Sequence, residues 1–407
     1  MRVSKIAGVF LIVAGSINAN IIFGQTKTVT TTRPTTKTVT TKVHPMLSPI
    51  AAVKGGQQKT LEMVFVLDTT GSMGGLIEGA KQKIWSIVND VMQKKDRPAV
   101  KIGLIAYRDI GDAYVTQVTP LTDDLDKIYS TLMDFQAQGG GDTPENVRRA
   151  LAEGVDKTGW SKENSNVAQI LFLVGDAPPH NDYPQEIDVL TTTSKAVRQN
   201  MIVNTIQCGD ISGTREIWQQ IALRGEGKYF AIAQDGGVRA IATPYDARLA
   251  ELAGKIGATY LAYGGAAGAA GTQYRSSLMA MQTSTESKVA ASAPTVAQAD
   301  RAMNKAINSA AYQNDLIQAV ENETVKLEQV KKEDLPDNLQ KLAPAELKAE
   351  VDKRIAERKK IRAEIMELSK KRDEFIKTER AKLGRQNGFD SAVSAALSEQ
   401  MLRKGIK

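Results

Sequence analysis

The chain has 407 residues and a mass of 44.1 kDa, with 42% hydrophobic and 24% charged side chains, the profile of a globular protein with room for two domains or for one domain and an appendage. Its formal charge is +7, from 53 basic and 46 acidic residues, and no dense basic block points to nucleic acid. The single cysteine, Cys208, excludes an intrachain disulfide framework and a Cys-based zinc cluster, and two histidines, His44 and His180, argue against a multi-His catalytic metal site.

Residues 1–5 read as a short basic n-region and residues 6–15 (IAGVFLIVAG) as an apolar core, followed by small residues at Ser16, Ala19 and Gly24. Such a core is shorter than the roughly 20 apolar residues a spanning helix needs. Residues 1–25 are therefore predicted to be a signal peptide, cleaved between Ala19 and Gln25; an uncleaved anchor extended by Ile21, Ile22 and Phe23 is the alternative. The mature protein is expected to be secreted or periplasmic, with no membrane span after cleavage. Residues 26–58 open on TKTVTTTRPTTKTVTTK, too poor in apolar mass to order itself, and read as a flexible Thr-rich leader.

From residue 59 strand and helix patterns alternate. Strands are predicted at 61–67, 100–107, 114–118, 167–175, 201–208 and 227–232, and helices at 76–92, 124–135, 145–156, 183–199 and 213–223. The run 167–175 is almost wholly apolar, as a strand buried on both faces should be. This is the signature of an α/β domain with a doubly wound, mostly parallel sheet over 59–264. Residues 265–299, rich in Ala, Gly and Ser, read as a linker. Residues 300–407 read as a helical region: a helix over 300–332, a break at Pro336 and a helix over 345–385. An apolar stripe through Leu347, Ile361, Leu368 and Phe375 is interrupted by Arg354, which leaves a helical hairpin or a coiled coil open. Self-association through these helices is one expected partner mode.

Ligands of open parallel sheets bind outside the carboxyl ends of the strands. The first strand ends in Asp68-Thr69-Thr70-Gly71-Ser72, alternating three oxygen donors along one loop. Oxygen ligands without Cys or His select a hard divalent cation, Mg²⁺ before Mn²⁺ or Ca²⁺. Helix capping alone also explains Asp, Thr and Ser after a strand. Two further loops repeat the pattern: 139–146 (GGGDTPEN) offers Asp142, Thr143 and Glu145, and the fourth strand ends at Asp176.

With these three loops the chain resembles the von Willebrand factor type A domain family over residues 59–264. The resemblance implies a Rossmann-like fold with a metal-ion-dependent adhesion site, in which Asp68, Thr70 and Ser72 match the first-loop D-x-[ST]-x-S motif and Asp176 the third-loop aspartate. GGGDTPE departs from the commonest second-loop G-G-T and looks like the D-S-P-E loop of integrin β subunits. Thr143 is the family default there, with Glu145 and Asp142 as alternates, and Asp112 with Asp142 as candidates for a second ion.

Arg108 and Asp109, directly after a strand, are expected at the ligand rim, read as a salt-bridged loop. His180 also belongs to the rim and reads as a solvent-exposed loop histidine. Trp85, Trp160 and Trp218 read as packing residues and Cys208 as an inert core thiol. The resulting expectation is an exported, non-enzymatic binding module that captures a protein's exposed carboxylate through the cation. The alternative is an accessory or assembly subunit of a larger cell-envelope complex. A metal-assisted hydrolase ranks below both, because no G-x-S-x-G, H-E-x-x-H or Walker-type motif is present.

Overall fold

The apolar runs sort themselves by a period of two. Along β1 (Thr60–Asp68), Leu61, Met63, Phe65 and Leu67 join one core while Val64 and Val66 join the other. Along β4 (Val167–Gly175), Ala168, Ile170, Phe172 and Val174 join the first core and Leu171 and Leu173 the second. Both strands are thus central and covered on each face, as their composition predicts. The computed structural model describes residues 58–162, 165–238, 240–265, 267–308, 311–312, 314–383 and 388–407. The predicted signal peptide and nearly all of the Thr-rich leader lie outside the described residues.

The elements follow as β1, α1 (Gly74–Met92), β2 (Ala99–Tyr107), β3 (Thr116–Thr122), α2 (Leu125–Asp134), α3 (Val147–Asp156), β4, α4 (Val189–Arg198), β5 (Met201–Cys208), α5 (Thr214–Arg224) and β6 (Glu226–Ile232). The sheet order is β3-β2-β1-β4-β5-β6, with every pairing parallel except β2 with β3. Strand order reverses between β1 and β4, which puts the switch point at the ends of those two strands. The fold is the doubly wound α/β sheet expected from the sequence. Two predicted boundaries move. The third strand runs over 116–122 rather than 114–118. The fourth helix begins at Val189, not at 183, because Asp188 caps it by accepting from the amides of Leu190 and Thr191.

Then come α6 (Asp246–Gly257), α7 (Ala269–Ser292), α8 (Thr295–Ile307), α9 (Leu316–Glu321), α10 (Pro344–Leu383) and α11 (Phe389–Arg403). Most of the predicted linker 265–299 is therefore helical. Its alanines are the best helix formers, and α7 is tied down by Glu286, which pairs with Arg301 and Lys305 of α8, and by Lys288, which pairs with Asp134 of α2. The predicted helix over 300–332 is instead broken: α8 ends at Ile307, α9 covers six residues, and two short 3-10 turns follow. The sequence reading also passes over α6, whose Leu249, Leu252, Ala253 and Ile256 pack against α8 and α10.

The stripe on α10 is engaged within the chain. Leu347 and Ile355 pack on the cluster around Leu316, Ile317 and Leu335, and Ile361, Ile365 and Leu368 pack on the cluster of α6 and α8. The most deeply buried row is Val351, Arg358, Ile365 and Arg372, one heptad apart, with its arginines paired to acids elsewhere in the chain. Helix α11 returns to the sheet: Phe389, Val393, Ala396 and Leu397 enter the first core, and Phe389 lies 6.0 Å from Phe65. The helical region completes the α/β core, and all described residues belong to one compact unit.

Candidate metal centre

Asp68 is the last residue of β1 and fully buried. Its Oδ1 accepts from the Thr70 amide (2.8 Å) and the Thr70 hydroxyl (2.7 Å), which turns the chain back over the strand end. Thr70 Oγ1 lies 3.5 Å from Ser72 Oγ, so the three first-loop oxygens form one row. The neighbouring strand must come close here. A Cβ on Gly175 would meet Tyr107 Oη at 2.4 Å and Asp68 Cβ at 3.1 Å, so only glycine fits the end of β4.

The second and third loops are stitched to the first by main-chain bonds. Gly71 donates to the Gly139 carbonyl and Gln138 to that of Thr69, while the Glu145 amide donates to the Pro178 carbonyl and the His180 amide to that of Glu145. Gly140 has a φ of +80°, and a Cβ there would meet Glu145 Oε1 at 3.0 Å and Thr70 Cβ at 3.2 Å. Glu145 and Thr70 therefore flank the same point, and Glu145 is buried. Thr143 is on the exposed side of the loop, as is Asp142. The second-loop group that turns inward is Glu145, rather than the family-default Thr143.

Asp176 follows β4 and is buried; its Oδ2 accepts from Gln234 Nε2 at 2.7 Å, and the same nitrogen is 3.4 Å from the Ser72 carbonyl. Gln234, just after β6, was not singled out in the sequence, although the strand-end rule that led to Asp68 and Asp176 applies equally to its position. Tyr107, which lies against Gly175 and Asp68, was missed because an apolar strand gives no sign of which hydroxyl ends at a site.

These carboxyls crowd one another. Burial, and then the neighbouring Asp176, push Asp68 up to about 7. Burial, and then Asp68, Asp109, Asp112 and Asp176, push Glu145 up to about 9. Among the described residues no lysine or arginine pairs with any of these five acids. Asp68 Oδ2 and Glu145 Oε2 are buried without a hydrogen-bond partner. Buried acceptors left unmatched are expensive. Oxygen-only donors with surplus negative charge fit a hard divalent cation.

The rim departs from expectation. Arg108 and Asp109 are both buried and not paired with each other. Arg108 donates to the Thr69 (3.1 Å) and Gln136 (2.8 Å) carbonyls and lies over the Tyr114 ring at 4.4 Å, bracing the first loop. Asp109 Oδ2 accepts from Tyr183 Oη at 2.7 Å. Asp112 Oδ2 accepts from the Asp109 and Gly140 amides, at 3.2 and 3.1 Å, which ties it to the second loop. His180 is 6% exposed rather than solvent-facing, because it stacks on Tyr183 at 4.2 Å and bonds Asp182 Oδ1 at 2.8 Å. Its Nε2 faces Asp109 and Asp142. Cys208 is buried, with burial raising its thiol far above the usual range.

Residues 62–244 match the von Willebrand factor A domain family. A putative ariadne-like RING finger protein of Acanthamoeba polyphaga mimivirus is 28% identical over 149 residues, 34% of this chain and 14% of that protein. The chain thus spans about one seventh of that relative's length. Two solved structures are each 16% identical, with a TM-score of 0.32 over 43% of this chain: BatB, a conserved hypothetical protein from Bacteroides thetaiotaomicron, covered over 90% of its length, and the VWA domain of SpRpn10, covered over 89%.

Proposed function

Because residues 62–244 form a von Willebrand factor A domain, a protein-interaction module, we propose that this chain binds its partner through a divalent cation held at the ends of β1 and β4. Asp68, Thr70, Ser72, Glu145 and Asp176 would hold the ion. The observation that carries the reading is the pair of buried, partnerless oxygens, Asp68 Oδ2 and Glu145 Oε2, in a cluster of acids with which no lysine or arginine pairs among the described residues. A bound cation supplies the missing positive charge and, with a coordination position left open, a point of attachment for a carboxylate of the partner. Mg²⁺ is the first choice, since all donors are hard oxygens. The reading is binding without catalysis, outside the cytoplasm, the export resting on the basic start and apolar core of residues 1–15.

Calorimetric titration of Mg²⁺ into the full chain tests it. Saturable binding is expected, lost in Asp68→Ala and in Asp176→Ala. Equal binding by wild type and both variants would reject the site.

A further inference from the structure

Beside the oxygen pocket stands a second group of ligating side chains. Nε2 of His180 lies 3.4 Å from Asp109 Oδ2 and 3.6 Å from Asp142 Oδ2, and one ligand atom from each residue lies within 4.8 Å of the others. The acids alone would mean little. The histidine adds an independent sign: it is 6% exposed, its Nε2 has no hydrogen-bond partner, and that nitrogen is aimed between the two carboxylates. Asp109 Oδ1, also buried, is likewise without a partner.

The other ring nitrogen settles the chemistry. Nδ1 sits 2.8 Å from Asp182 Oδ1, and an ionised carboxylate only accepts. Nδ1 therefore donates to Asp182, and the anchored ring turns its Nε2 toward the Asp109 and Asp142 carboxylates. That arrangement calls for a positive charge between them. At 3.4 and 3.6 Å the contacts are longer than the roughly 2.7–2.9 Å of a direct charge-assisted N–H···O bond, which leaves room for an ion between the groups. A metal ion fits well. Ligands about 2.0–2.2 Å from a tetrahedral ion stand about 3.3–3.6 Å apart, the spacing of Nε2 from each of the two carboxylates. A carboxylate that fixes the ring through its far nitrogen is also the usual support of a metal-bound histidine. Tyr183 holds both ligands in place, stacking on the imidazole and donating to Asp109.

We propose that Asp109, Asp142 and His180, with Asp182 as positioning residue, form a second cation site of the Zn²⁺ class, separate from the oxygen pocket. One imidazole and two carboxylates give a borderline donor set that favours Zn²⁺ over Mg²⁺. The ion joins the segment after β2, the loop before α3 and the loop after β4, and so stiffens the rim around the neighbouring pocket. This site does not depend on the pocket holding an ion.

Equilibrium dialysis of the full chain against Zn²⁺, with Mg²⁺ in excess to occupy the oxygen pocket, tests the assignment by metal content. The wild type should retain one zinc per chain, and so should Asp68→Ala. His180→Gln and Asp142→Asn should lose it, the latter at an exposed position that the fold tolerates. Asp182→Asn should weaken retention about 10–100-fold. Co²⁺ in place of Zn²⁺ should give the visible band of a tetrahedral ion in the wild type and in Asp68→Ala, and not in His180→Gln or Asp142→Asn. No zinc retained under excess Mg²⁺, zinc retained equally by Asp142→Asn, or zinc lost in Asp68→Ala would each overturn the proposal.

Discussion

Among the regions of this protein that bury carboxylates, two treat them in opposite ways. Where α10 docks, each acid meets an arginine: Arg358 with Asp315 at 2.5 Å, Arg362 with Glu321 at 2.8 Å, and Arg372 with both Asp246 (2.7 Å) and Asp300 (2.6 Å). At the ends of β1 and β4, Asp68, Glu145 and Asp176 have one another and, among the described residues, no lysine or arginine partner. The first region neutralises its charge from within the chain, although Glu321 Oε1, Arg358 Nη2 and Arg362 Nε are buried there without a hydrogen-bond partner. The second is incomplete without a positive charge from outside. Burial alone does not mark a functional site; burial without compensation does.

The largest effect that would sharpen this contrast lies on the helical side. Arg358 and Asp315 are both wholly buried. Removing one partner of such a pair strands the other, at a cost of about 3–5 kcal/mol. Arg358→Ala should lower the unfolding midpoint in urea accordingly. Asp68→Asn, by removing a charge with no partner, should leave the ion-free protein as stable as the wild type or more so. If both variants lose stability equally, the distinction between the two regions fails.

The next effect is in the pH dependence. In the ion-free protein Asp68 titrates near 7 and Glu145 near 9, both above the ordinary carboxylate range. A carboxyl raised by folding binds its proton more tightly in the folded state. Its contribution to stability is complete below about pH 4 and is lost as pH rises through 7 and then 9, on the order of several kcal/mol in all. The helical side has the opposite sign at Asp126: despite burial, Arg301 and Lys305 hold its carboxyl below the usual range, so its contribution falls away in acid. Asp300 is the exception there, because burial outweighs Arg372 and lifts it to about 6. Melting temperatures in EDTA across pH 5 to 9 should fall toward the alkaline end, and Mg²⁺ should remove most of that fall by supplying the charge the carboxylates lack. A flat profile in EDTA would mean that the cluster is already compensated.

How much of this was readable beforehand differs between the regions for the same physical reason. Strands and their order of alternation are legible because a sheet covered on both faces needs unbroken apolar runs, as at 167–175, and the strand-end rule then locates Asp68 and Asp176. Helix α7 was not legible: its Ala, Ser and Thr content matches a linker as well as a helix, and what fixes it is Glu286 reaching Arg301 and Lys305, contacts no local pattern carries. The buried row of α10 was hidden similarly, since Arg358 and Arg372 read as solvated until their acids are known. His180 looked like a surface histidine because its burial comes from Tyr183 and Asp182 folding back on it.

The smallest effect bears on the one ligand that spacing left open. Thr143 and Glu145 are two residues apart, and either matches a known second-loop pattern. Thr143 faces outward, so Thr143→Ala should change stability by no more than about 0.5 kcal/mol and Mg²⁺ affinity hardly at all. Glu145 lies against Thr70 and Gly140, with one oxygen buried and partnerless. Glu145→Gln keeps its shape but removes the charge, and should weaken Mg²⁺ roughly tenfold, about 1.4 kcal/mol by calorimetry. The reverse ranking would mean that the loop turns over when the ion binds, bringing the threonine in and sending the glutamate out. The pocket would then be assembled by the cation rather than waiting for it.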